Sequence, residues 1–126
     1  MRTLRTASCT VLTLATALLG ACGDDGPHAV PVPGGDAGAG RMLLMRYQCA
    51  SCHSIPGVEG AQGRTGPALD TFGRTSYIAG HLPNSPDVLE RWITDPPALK
   101  PGTPMPAMGV SPADARDMAA YLYTLR

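Results

Sequence analysis

Apolar positions along this chain form one dense run and three spaced sets. The run, Val11 to Ala21, is too short to cross a bilayer, which takes about 20 helical residues. Met42, Leu43, Leu44 and Met45 make a broad apolar stripe. They predict a helix over about 41–50 that places Met42 and Met45 in the core and delivers Cys49 on its last turn. Leu89, Trp92 and Ile93 recur at i, i+3 and i+4 and predict a second helix. Asn84 or Ser85 is its N-cap, Pro86 its first residue, and Asp87 and Glu90 suit its positive end. Pro96-Pro97 stops it. Met118, Tyr121, Leu122 and Leu125 form the buried face of a third helix. Its start is the clearest: Ser111 as N-cap, Pro112 at N1 and Asp114 at N3, much like a capping box. Strand signals are weak, and Gly and Pro fill the loops between. The reading is an all-α fold with three main helices.

Arg2 and Arg5 stand ahead of the dense run, and Leu19-Gly20-Ala21-Cys22 closes it. Residues 1–21 therefore read as a signal peptide of the lipoprotein type, in which small residues precede a cysteine that is cut before and acylated. An ordinary signal cut near Ala21 or Gly23, or an uncleaved anchor, are the alternatives. More than one acyl chain on Cys22 suffices for stable anchoring, so the expected location is the membrane, facing the periplasm. Residues 22–39 read as acylated Cys22 and a flexible linker of Gly, Pro, Asp and Ala, with His28 solvated. Residues 40–126 are then the domain. A chain this small is marginal on its own core, and burying a large apolar cofactor would remedy that.

Cys49-Ala50-Ser51-Cys52-His53 supplies the chemistry. C-x-x-C-H is the attachment pattern of haem c: two thiols spaced to form thioethers with one porphyrin, and a histidine carried under the iron. A redox dithiol wants a βαβ context, and a structural zinc site wants a second ligand pair; the sequence offers neither. With Cys9 in the signal and Cys22 acylated, no thiol is left for a disulfide. A single motif predicts one haem. The iron face opposite His53 needs its own ligand. Met105 is the stronger candidate, because Pro101, Pro104 and Pro106 stiffen the loop around it and Gly102 permits a sharp turn. Met108, His81 in a surface loop, and an open iron are the alternatives; Met118 reads as core.

Charge excludes some partners. The 10 basic and 10 acidic residues balance, and removing Arg2 and Arg5 leaves the mature chain about two charges negative. There is no basic tract for nucleic acid. Lys100 is the only lysine, so no dense lysine ring exists for electrostatic docking.

These residues together resemble the class I cytochrome c family, over residues 40–126. Beyond the haem motif the resemblance includes Gly66-Pro67-Ala68-Leu69, Phe72-Gly73-Arg74 and Trp92-Ile93-x-Asp95-Pro96. Lys100-Pro101-Gly102-Thr103-x-Met105-Pro106 and Met118-x-x-Tyr121-Leu122 complete it. It looks closest to small bacterial domains found free or fused to haem–copper oxidase subunits. The resemblance implies the cytochrome c fold around one haem c held by Cys49 and Cys52. It implies that the Pro67 carbonyl accepts a bond from His53, that Arg74 lies near a haem propionate and that Thr103 bonds one. Trp92 should flank the haem on the Met105 side, and Tyr121 should pack where the first and last helices meet, with Gly40 or a neighbour allowing close approach. The chain departs from the mitochondrial pattern before the first cysteine: Met45 stands four residues ahead of it and Tyr47 two. The implied function is one-electron transport between redox proteins: a quinol–cytochrome c reductase or periplasmic dehydrogenase, and a terminal oxidase. The alternative is an electron-transfer subunit fixed within a periplasmic dehydrogenase or oxidase complex.

Overall fold

The computed structural model describes residues 30–126, so the signal segment, Cys9, Cys22 and His28 lie outside the described residues. Helix α1 runs Ala37–Arg46, α2 Pro86–Thr94, α3 Pro96–Leu99 and α4 Pro112–Leu122. A two-stranded antiparallel hairpin, β1 Tyr77–Ile78 and β2 Leu82–Pro83, pairs Ile78 with Leu82. Short 3-10 turns cover Cys49–Ser51 and Phe72–Arg74. The described domain is thus mostly helical, as expected. No helix among the described residues is long and apolar enough to cross a membrane.

The first helix differs from its expected bounds. It starts at Ala37 rather than 41, because Asp36 caps it by accepting the Ala39 N–H at 3.0 Å. It ends at Arg46, so Cys49 sits on a separate turn rather than on the helix. The expected boundary between linker and domain falls inside α1, and Val32, expected in the linker, is part of the core. Met42 and Met45, expected in the core, are exposed, at 50% and 41%. The buried face of α1 is Gly40 and Leu44.

The α1–α4 crossing is the most extensive contact between elements. Gly40 makes it possible: a Cβ there would overlap the Asp117 carbonyl and come within 3.0 Å of Met118 Cα. The Asp36 N–H adds a bond to Asp117 Oδ1 at 2.9 Å. Beneath the crossing, Leu44, Ile55, Leu89, Ile93, Met118, Ala119 and Leu122 form one apolar core with no buried polar side chain among the described residues.

The two other expected helices start as read and α2 also stops as read, but α4 ends at Leu122, so Leu125, expected on its buried face, lies beyond it. Ser111 caps α4 by accepting the Asp114 N–H at 3.1 Å. Ser85 is the N-cap of α2 by its extended backbone, but its hydroxyl donates to Asp87 Oδ1 at 2.6 Å instead of capping. That bond holds the Asp87 carboxyl below its ordinary range. Pro96 ends α2 and opens α3, with Asp95 as its cap.

Asn84, a candidate cap by sequence, is instead a hub. Its amide donates to the Phe72 carbonyl at 3.2 Å and to the Thr75 carbonyl at 2.9 Å, and its Oδ1 accepts from Tyr123 Oη at 2.8 Å. Burial, with help from the Asp87 and Glu90 carboxylates, pushes the Tyr123 phenol up to about 12, so it remains a donor at neutral pH.

Candidate haem site

The haem-bearing turn is built from Gln48 onward. Gln48 takes a left-handed backbone, φ 58°, a conformation that costs a non-glycine residue about 1 kcal/mol. Its carbonyl offsets this by accepting from both Ser51 N, at 3.0 Å, and Ser51 Oγ, at 2.7 Å. His53 N–H then donates to the Cys49 carbonyl at 3.0 Å, which folds the five residues onto one another. Cys49 and Cys52 are both free thiols and half-buried. Burial pushes the Cys49 thiol above its ordinary pKa, the opposite of an activated redox cysteine.

His53 Nδ1 lies 2.7 Å from the Pro67 carbonyl oxygen, the partner that the family resemblance implies. A carbonyl can only accept, so Nδ1 carries the proton and the Nε2 lone pair is left for a metal. The strand of chain that presents Pro67 is itself fixed: Gly66 N–H donates to the Cys52 carbonyl at 2.8 Å and Leu69 N–H to the Ser54 carbonyl at 2.9 Å. Gly66 runs against the imidazole, where a Cβ would sit 2.8 Å from Nδ1 and 2.9 Å from Nε2. The sequence shows this glycine in its motif but not its task. Gly63 likewise backs onto the Cys52–His53 peptide, with room for no Cβ.

The remaining candidates lie on other segments. Met105 is half-buried in the loop between α3 and α4, and its N–H donates to Thr103 Oγ1 at 3.3 Å. Met108 is exposed, at 43%. Lys100, at the loop's start, donates from Nζ to the Ala79 carbonyl at 2.9 Å and so ties the loop to the hairpin turn. Trp92 is half-buried on α2 against the core. Arg74 and His81 are exposed. The Arg74 turn is pinned by Gly73 N–H on the Leu125 carbonyl at 2.8 Å. Tyr121 reaches beyond the α1–α4 contact and donates to the Pro56 carbonyl at 2.6 Å, while Arg41 donates to the neighbouring Gly57 carbonyl at 3.0 Å.

This set fits haem c. Two unpaired, half-buried thiols stand beside an imidazole whose free nitrogen is Nε2, over an apolar core. It does not fit a metal ion held by side chains alone, since no group of three His, Cys, Asp or Glu gathers among the described residues.

Comparison with known proteins gives the same answer. The family model of cytochrome c matches residues 37–126. Cytochrome c oxidase subunit 2 of Alkalihalophilus pseudofirmus is 40% identical over 91 residues, which is 71% of this chain and 26% of that protein. The Bacillus subtilis protein of the same name is 33% identical over 86 residues, 67% of this chain and 24% of its own length. Cytochrome c-type cyt cy of Rhodobacter capsulatus is 32% identical over 100 residues, 72% of this chain and 50% of that protein. The chain therefore spans about a quarter of the oxidase subunits and half of the cytochrome cy. With the motif, the His53 geometry and the family match in agreement, the chain belongs to the cytochrome c family, as a monohaem class I domain that binds haem c covalently through Cys49 and Cys52 and transfers electrons.

Proposed function

We propose that the chain is a membrane-tethered carrier on the periplasmic side, passing single electrons from a respiratory donor to an acceptor such as a terminal oxidase. The donor is a quinol–cytochrome c reductase or a periplasmic dehydrogenase. Cys22 would carry the lipid, and Met105 would be the second side chain, with His53, to hold the haem iron. The observation that carries the reading is Met105 itself: half-buried, framed by proline, and held at its N–H by Thr103, whereas Met108 faces solvent.

When bound, the haem supplies a one-electron Fe(III)/Fe(II) couple. The chain's residues set how that couple behaves. Pro67 fixes the His53 tautomer and the orientation of the ring that presents Nε2. The soft Met105 sulfur favours the reduced state, and the apolar core disfavours the extra charge of the oxidised one; both raise the reduction potential. One nitrogen and one thioether leave no position for a substrate, so the residues support transfer rather than turnover. Arg74 and Thr103 are the groups for the propionates, and Trp92 flanks the ring on the Met105 side. A lipid tether on Cys22 raises the effective concentration of the domain around membrane partners. The likeness to oxidase subunits supports an oxidase as acceptor.

A second reading, a subunit fixed within a larger redox complex, is favoured by one surface. Exposed Met42 and Met45 join Ala39 and Leu43 of α1 in a largely apolar groove edged by Arg46 and by Asp114 and Asp117 of α4, the kind of surface a permanent partner covers.

Rapid mixing tests the carrier reading. The haem-loaded protein is expected to be reduced by a quinol–cytochrome c reductase and reoxidised by a terminal oxidase, with the native chain in the membrane fraction and Cys22→Ser in the soluble one. Failure to exchange electrons with either complex, or membrane association unaltered by Cys22→Ser, overturns it.

A further inference from the structure

Tyr47 directly precedes Gln48, where the haem-bearing turn begins, and Asp114 lies in the first turn of α4, just after the Met105 loop. The Tyr47 hydroxyl donates to Asp114 Oδ2 at 2.6 Å, a short bond to a charged acceptor. Both ends of this bond are fixed. The Tyr47 ring packs half-buried against the core, and its N–H closes α1 on the Leu43 carbonyl at 2.8 Å. The Gln48 turn that follows leaves little slack between Tyr47 and Cys49. Asp114 is held by its own N–H on Ser111 Oγ at 3.1 Å. Ser111 directly follows Val110, which anchors the end of the Met105 loop in the core. The bond also holds the Tyr47 phenol above its ordinary pKa, so it stays the donor.

We propose that Tyr47 is a positioning residue: its bond to Asp114 locks the segment carrying His53 to the segment carrying Met105, and so keeps the Met105 thioether on the iron. The inference rests on the Met105 reading above. Removing the hydroxyl leaves the Gly40 crossing and the Ser111 cap in place. What loosens is the end of the Met105 loop. Met105 then gives way more readily to an outside ligand: its Fe–S bond breaks, an Fe–N bond forms, and no electron is gained or lost.

Imidazole titration of the ferric, haem-loaded protein, followed by absorbance, reads this opening. An outside ligand binds more tightly in proportion to the fraction of molecules with the position open. Tyr47→Phe is expected to bind imidazole about tenfold more tightly than wild type, the scale of one hydrogen bond to a charged group. Haem content should be unchanged, and the red charge-transfer band of methionine-ligated ferric haem should weaken. Asp114→Asn keeps an acceptor but loses the charge, and is expected to fall between the two. Met105→Ala sets the fully open limit. Equal imidazole affinity in wild type, Tyr47→Phe and Asp114→Asn overturns the proposal, even if melting temperatures drop. Should Tyr47→Phe fail to fold, Asp114→Asn against wild type decides in the same terms. A wild type that already binds imidazole as tightly as Met105→Ala defeats the Met105 reading itself, and with it this proposal.

Discussion

A Cys49→Ala/Cys52→Ala chain is expected to carry no haem that survives denaturation and acid extraction, and to lose most of its stability with it. The two thiols are the only free cysteines among the described residues, so no other group there can form a thioether. The loss of stability follows from size. A domain of this length buries only about 60–65% of the surface its unfolded chain exposes, and its core is correspondingly thin. A ligand present at a hundredfold excess over its dissociation constant contributes about 2.7 kcal/mol, and covalent attachment keeps haem at least that available. The variant should therefore lose at least about 3 kcal/mol, which lowers the melting temperature of so small a domain by more than roughly 12 °C. Haem staining after denaturing electrophoresis and thermal circular dichroism measure the two effects. Covalent haem retained in the variant, or an unchanged melting temperature, would contradict the account.

Gly40→Ala is expected to destabilise the domain by at least about 2 kcal/mol, although alanine is the better helix former by about 1 kcal/mol. The reason is what the new methyl group meets. A Cβ at Gly40 runs into the Asp117 backbone, which no rotamer change can clear, so α1 and α4 must move apart. Overpacking of this kind costs about 3 kcal/mol or more when backbone opposes backbone, which exceeds the gain in propensity. Gly38→Ala is the control on the same helix. Its Cβ would meet only Asp36 Oδ1, at 3.2 Å, a side-chain atom of the cap that need give by only a few tenths of an ångström, so the melting temperature should change far less than in Gly40→Ala. Thermal unfolding of the pair distinguishes the two positions. A Gly40→Ala protein as stable as wild type would mean that the crossing is not as close as described.

Much of this site is legible in the amino-acid sequence. The haem motif, the Ser111 cap and the buried Met118 depend on local spacing or on motifs with one job, and the Pro67 partner of His53 is what the family resemblance implies. The start of α1 is not legible, because Asp36 caps a stretch whose glycines read as linker. Gly40, the first residue of the expected domain, is there for contact, as the family resemblance implies. The exposure of Met42 and Met45 is hidden for a related reason. A four-residue apolar run does not say which side faces inward, and the crossing at Gly40 turns Leu44 in and both methionines out. The roles of Tyr47 and Asn84 leave no trace in the sequence. Their partners lie far along the chain, Asp114 for one and Phe72, Thr75 and Tyr123 for the other, and no periodicity links them.

Carbon monoxide binding to the reduced, haem-loaded domain, followed by absorbance, tests the electron-carrier account most directly. With His53 and Met105 both on the iron, the spectrum should not change on adding the gas, while Met105→Ala should bind it readily. Ready binding by the wild-type protein would contradict the account, leaving an open iron and a chain suited to catalysis or gas sensing rather than to carrying electrons.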